Sequence, residues 1–359
     1  ISGTNEYSSS VSLALDVAVE QAESSIAEYA ALQTVITASE AEYDASKNEA
    51  EEFLAAIAQA KSLVADSSAS SEDLAAGVTA LEKATLAFHI ANATAGTGVA
   101  PNVTVTNSYA LTGATEALIR ATTTGSNILE RGVCWSTEHN PTVLDERTTK
   151  NFNLNGYIFH IKDLEPATVY YVRPYVMNKT YTVAYGDEIK IITHPYGTCT
   201  WSWDGGAPTD DANDRCSTAM EQTIEYFNQW TGVNGFYLSG HYGVSTPTAD
   251  CSYGGWMRIG PNSSYQAIGT VLHETGHGVG VGTHWRWYSC SDTRANVTYG
   301  KWLGREANKV LHFLENNYNE SMYLTGDGVH GWGQNASYDW FVNGADKDKH
   351  YELQYIGGC

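Results

Sequence analysis

The spacing of apolar residues changes twice along these 359 residues, and each change implies a different way of building a core. Up to about residue 95 apolar side chains return every three or four positions, in LALDVAVEQAESSIAEYAAL, NEAEEFLAAIAQAKSLV and SEDLAAGVTALEKATLAFHI. That is the period of an amphipathic helix. From about 101 to 195 the period is two, in VTVTNSYALTG, EALIRATTT, ERGVCWST, YIFHIKDL, TVYYVRPYV and EIKIITH, the pattern of short half-buried strands. After 195 the periods mix. STAMEQTIEYFNQW predicts a helix with Met220, Ile224 and Phe227 on one face, GGWMRIG a strand, PNSS a loop, and two further helices follow. One layered core cannot serve all three patterns. The chain is therefore expected to be multidomain: an all-α helical bundle over 1–95, a β-sandwich over 101–195, and an α+β domain over 196–359, with ANATAGTGVAPN as the first linker.

The first segment has no Pro, Cys or Trp, and 15 acidic residues against 3 lysines. SSEDL supplies Ser70 or Ser71 as the N-cap of the third helix, with acidic residues in its first turn. Three antiparallel helices with an alanine-rich seam follow from this, and they resemble the FIVAR-type modules of bacterial surface proteins, which implies a spacer or stalk. His89, alone in its helix, reads as a packed or solvated residue and not as a ligand.

The whole chain carries a formal charge of -21, which excludes a nucleic-acid backbone and an anionic membrane surface as electrostatic partners. No run of about 18 apolar residues is present, so no transmembrane segment is expected. The small, polar opening ISGTNEYSSS is of the kind found behind an export or lipid-anchor site, compatible with a lipid anchor upstream of residue 1. Five of six cysteines (Cys199, Cys216, Cys251, Cys290 and Cys359) fall after residue 195 without a C-x-x-C pair. That clustering predicts disulfides, and with them a secreted or cell-surface location.

In LEPATVYYVRPYV the residues Leu164, Pro166, Thr168 and Tyr170 resemble the L-x-P-x-T-x-Y signature of fibronectin type III domains. The resemblance implies a sandwich whose corner is closed by a Tyr170 hydroxyl hydrogen bond to backbone. Cys134 beside Trp135 then belongs to the core.

The third segment contains GTVLHETGHGVGVGTHWRW. On a helix, positions i and i+4 share a face, so His273 and His277 can converge on one ion. Imidazole pairs of this kind suit zinc, which binds such nitrogens at about 2.0–2.1 Å in a tetrahedral site. Glu274, next to the first histidine, is placed as the general base for a water on that metal.

HETGHGVGVGTH resembles the metzincin branch of the zincin metallopeptidases, whose pattern is H-E-x-x-H-x-x-G-x-x-H. The match covers His273, Glu274, His277 and Gly280; the family's third histidine would fall at Thr283, and His284 stands one position late. Glycines 278, 280 and 282 can absorb one extra residue, which makes His284 the first candidate for the third ligand. Glu306, on a downstream helix as in the gluzincin branch, and His330, on a glycine-rich loop, are the alternatives, His330 also as a group that stabilises the oxyanion. Met322 is the candidate for a methionine turn, with Tyr323 as an aromatic facing the site.

On the substrate side the resemblance implies an edge strand that holds an extended peptide, a role expected of GGWMRIG with Trp256. Trp285, Trp287 and Trp332 flank the candidate ligands and are candidates to hold an apolar side chain or a sugar face. TDDAND, residues 209–214, reads as a helix-capping turn and not as a calcium loop. The expectation is a zinc-dependent endopeptidase acting on extracellular proteins, glycoproteins included. The competing expectation is a glycan- or protein-binding surface module on a zincin-like scaffold without hydrolytic activity.

Overall fold

The computed structural model describes residues 25–104, 110–148, 151–153, 157–285, 309, 312–313, 325–326 and 331–332. The chain divides into two compact units, one of residues 1–102 with 124–130 and 176–184, the other of 103–123, 131–175 and 185–359.

The first unit contains helices α1 (25–42), α2 (Ala50–Ala65) and α3 (Ser71–Ala91). Leu32 and Ile36 of α1, Phe53 and Ile57 of α2, and Leu81 and Phe88 of α3 form its core, with Phe53 and Phe88 stacked at 4.5 Å. Ser70 caps α3: its hydroxyl accepts from the Asp73 N–H at 3.1 Å, and the Asp73 carboxylate accepts from the Ser70 N–H at 2.9 Å. This reciprocal box settles the choice between the two serines, because only Ser70 has the extended backbone of a cap. His89 is a packed residue, 2.8 Å from the Glu42 carboxylate and stacked on Tyr181 at 4.1 Å.

Residues 102–192 form short strands in facing sheets. One sheet runs in the order Ala110–Thr112, Ala117–Arg120, Tyr157–Ile161, Asn151–Asn153, all antiparallel. The other runs Val183–Tyr185, Val169–Asn178, Ile128–Ser136, Glu146–Thr148, with Ile189–Ile192 also paired to Val169–Asn178. Ile119, Phe159 and Ile161 from one sheet meet Val133, Val172 and Ile191 from the other, the core a period of two dictates. The Tyr170 hydroxyl accepts from the Glu165 N–H at 3.0 Å, the expected corner. Cys134 is buried but is not part of the core between the sheets: Val133 and Trp135 turn to that core, and the Cys134 thiol donates to the Arg173 carbonyl at 3.3 Å.

The third segment builds a four-stranded sheet under two helices. Its strands are β1 (Thr200–Trp203), β2 (Tyr237–Tyr242), β3 (Ala249–Ser252) and β4 (Trp256–Ile259), in the order β1-β2-β4-β3. β1, β2 and β4 are parallel, and β3 is an antiparallel edge. Helix α4 (Asp210–Trp230) starts at its Thr209 cap with Asp210 and Asp211 in the first turn, as TDDAND implies, and buries Met220, Ile224 and Phe227. Helix α5 (Ile268–Val279) buries Ile268, Val271 and Leu272 against Leu238, Met257 and Ile259.

Two expectations change here. GGWMRIG is an interior strand, because the short run ADCS folds back on it as a hairpin and takes the edge. The described cysteines form no disulfide: Cys134, Cys199, Cys216 and Cys251 are buried thiols. Cys290 and Cys359 lie outside the described residues.

The sandwich is also joined to the third domain within the second unit. Phe313, fully buried, packs on Leu118 and Ile158, and its carbonyl accepts from Arg120 Nε at 2.8 Å. The Gln229 carbonyl accepts from the Ala114 N–H at 2.7 Å and its side-chain oxygen from Thr115 Oγ1 at 3.1 Å.

Candidate functional site

Helix α5 carries the site, and its amphipathic period decides which residues lie together. Ile268, Val271, Leu272 and Thr275 anchor it to the sheet and α4, while His273 and His277 are also buried, at 5% and 8% exposure. Burial of two imidazoles one turn apart is costly unless their nitrogens are engaged. Their rings stand edge to face, 4.8 Å between centroids and 89° between planes.

The C-terminus of the helix sets the orientation of the second histidine. Gly280 has φ 119°, a value other residues rarely adopt, and the Val281 N–H returns to the Gly276 carbonyl at 2.9 Å. This turn brings the Val281 carbonyl to His277, whose Nδ1 donates to it at 2.7 Å. The proton is then fixed on Nδ1, and Nε2 presents its lone pair, the tautomer a metal ligand needs. Gly280 thus ends the helix and turns the chain back, as the sequence implies.

Glu274 is the other element of the site. Burial, and after it the charge of Asp250, push its pKa up to about 8, against the hydrogen bond its carboxylate accepts from the N–H of Cys251 on edge strand β3, which pulls it down. A carboxyl so held keeps its proton at neutral pH until a nearby positive charge makes ionisation favourable. The same burial, with Glu274 as neighbour, drives the Cys251 thiol up to about 12.

His284 does not join this pair in a three-ligand group. One residue more than the metzincin spacing lets 280–284 close as a turn, with the His284 N–H on the Gly280 carbonyl at 3.1 Å. The imidazole lies against Tyr253, 4.7 Å between centroids, with Trp285 beside it and 65% exposed. Among the described residues no three His, Cys, Asp or Glu side chains are grouped to hold a metal. The donors that suit zinc among the described residues are the two imidazoles on one face of α5, that of His277 with its proton fixed on Nδ1.

Glu306, Met322, Tyr323, His330 and Trp287 lie outside the described residues, and Trp332 is described only as backbone paired with Thr325. Trp256 is half-exposed on a strand whose next residue, Met257, is buried under the helices, so its side chain faces away from α5. The sequence reading missed Asp250 and Cys251. The signal was the four-residue run before the Gly254–Gly255 turn, short but followed at once by its partner strand.

No protein-family model matches the chain, and no curated protein matches it. Part of the chain is similar to solved fibronectin type III structures. The chicken CNTN1 FN1-FN3 domains are 17% identical over 27% of this chain and 31% of that one, with a TM-score of 0.20; the match spans about a third of their length. The sixth fibronectin type III domain of human fibronectin type III domain containing protein 3 is 20% identical over 28% of this chain and 92% of its own, TM-score 0.20. A further fibronectin type III domain of that human protein is 14% identical over 32% and 97%, TM-score 0.20. The fibronectin type III-like module in this chain rests on its own strand order and its Tyr170 corner.

Proposed function

We propose that the third domain is a zinc-dependent endopeptidase that acts on extracellular proteins, glycoproteins included. The observation that carries the reading is the union of His273, His277 and Glu274 on α5, with the His277 tautomer set by the Val281 carbonyl. His273 and His277 would hold the zinc, and the third ligand would come from Glu306 or His330, or from His284 once its ring leaves Tyr253. When bound, zinc supplies a Lewis acid and lowers the pKa of a water towards about 7.

Glu274 takes the proton from the attacking water on its carboxylate oxygen and delivers it to the nitrogen of the leaving amine. The Cys251 N–H holds that carboxylate beside the edge strand. An extended substrate laid along β3 gains backbone hydrogen bonds there, and Tyr253 and Trp285, both exposed, offer apolar surface at the helix end. The extracellular assignment rests on the order of modules, since the four described thiols supply no disulfide.

Diffraction data on both sides of the zinc absorption edge test the metal. A peak between His273 and His277 supports the reading, and the third ligand is whichever group lies about 2 Å from it. Absence of a peak after zinc is supplied removes the reading.

A further inference from the structure

A second feature lies on the opposite side of the β1–β4 sheet from the two helices. Strand alternation turns Leu238, Met257 and Ile259 towards the helices, which leaves Tyr237, Ser239, His241, Trp256, Arg258 and Asp250 on the other face. Among the described residues no element covers that face. Tyr237 is 51% and Trp256 48% exposed, an unusual amount of aromatic surface to leave in water.

The register arranges these side chains as two rows across the strands, which lie about 4.8 Å apart. In one row Trp256 stands between Ser239 and Ser252, so the small neighbours leave the sides of the indole clear. In the next, His241, Arg258 and Asp250 lie side by side. The indole is held in place by the Arg258 guanidinium at 5.4 Å and the His241 ring at 5.3 Å.

The polar groups around it are already fixed to one another. Arg258 and Asp250 form a two-bond fork of 2.9 and 2.5 Å. His241 bridges Asp204 at 3.1 Å and Ser239 at 3.0 Å, and the Tyr237 hydroxyl meets Ser202 at 2.6 Å. The Arg258 and Asp250 charges cancel each other, so the face carries no surplus positive charge for an anionic ligand, and the chain's charge of -21 repels polyanions. A half-open indole ringed by oriented donors and acceptors suits a ligand that is apolar on one face and hydroxylated around its rim.

We infer that this sheet face is a binding site for neutral carbohydrate, with Trp256 as the stacking platform and the Arg258–Asp250 fork and the His241–Ser239 pair as partners for hydroxyl groups. It is separate from α5 and requires no zinc, so it stands or falls independently of the peptidase reading.

The test is calorimetry and tryptophan fluorescence on the full chain in EDTA. It is titrated with neutral oligosaccharides of the gluco, galacto, manno and xylo series, and with heparin as a polyanionic comparison. The expected result is saturable binding of at least one neutral series, weakened about tenfold or more by Trp256→Ala at an unchanged melting temperature. Should that variant melt early, Ser252→Glu crowds the indole from an exposed position and is expected to give the same loss. Absence of binding to every neutral series, preference for heparin, or full binding by the folded variants would overturn the assignment.

Discussion

At the scale of single residues, the energetics of the site come from groups taken out of water. Glu274 in the metal-free protein has its pKa raised from 4.5 to about 8, chiefly by burial. The folded state then keeps a proton that the unfolded chain has already released, so stability falls as pH rises from about 4.5 to about 8 and levels beyond. The slope amounts to a few kcal/mol over that window, at about 1.4 kcal/mol per pKa unit. Denaturant titrations in EDTA between pH 4 and 9 are expected to show this decline, and Glu274→Gln to flatten it; a flat profile in the unaltered protein contradicts the buried carboxyl. In the zinc-loaded protein the same substitution is expected to leave metal content unchanged while peptide cleavage drops by roughly 10²–10⁴-fold, the usual worth of a general base. Retained cleavage would sink the mechanism. Buried thiols obey the same physics: Cys134 and Cys251 are pushed up to about 12 and Cys216 to about 11. These three, with Cys199, are expected to resist a water-soluble disulfide reagent at pH 8 until denaturant is added, read by peptide mass mapping. The shared face of His273 and His277 was legible from spacing alone, because i and i+4 meet on any helix. Asp250 and Cys251 were not, because their nearness to Glu274 exists only once β3 lies beside α5.

At the scale of elements, the ends decide more than the interiors. Gly280 fits a left-handed turn that places the Val281 carbonyl on His277, and a Cβ there would come within 3.0 Å of the His284 Cβ. Gly280→Ala is expected to cost about 1–2 kcal/mol of stability. By loosening His277 it is expected to weaken zinc binding about 10-fold or more in competition with a chelating dye. Unchanged affinity would mean that the helix end does not orient the ligand. In the first unit, Ser70→Ala removes the reciprocal cap of α3 and is expected to cost about 1 kcal/mol, visible as a lower melting temperature. Both ends were readable from residue type, a serine before an acidic turn and a glycine after an apolar one. The edge strand was not. β-periodicity identifies strands but not their order, and the hairpin that moved GGWMRIG inside the sheet depends on which of two short runs found room at the edge.

At the scale of the whole molecule, the sandwich and the third domain share buried side chains inside one unit. Phe313, with no exposed surface, lies on Leu118 and Ile158, and Arg120, 3% exposed, holds its carbonyl. Phe313→Ala is expected to destabilise the unit by about 3–5 kcal/mol. In calorimetry the sandwich and third domain are expected to melt in one transition in the unaltered chain; two separate transitions would show that the joint does not couple them. The sequence by itself determined the three periodicities, the cap of α3 to within one of two adjacent serines, the Tyr170 corner and the one-faced placement of His273 and His277. Each of these is local, set by neighbours within a few positions along the chain. Only the tertiary structure decided that the four described cysteines stay as thiols, that β3 takes the edge, that His284 lies on Tyr253, and that Trp256 looks away from the helix. Those outcomes rest on contacts between residues far apart in sequence, where packing space and the cost of leaving polar groups without partners choose among arrangements that local propensity leaves equal.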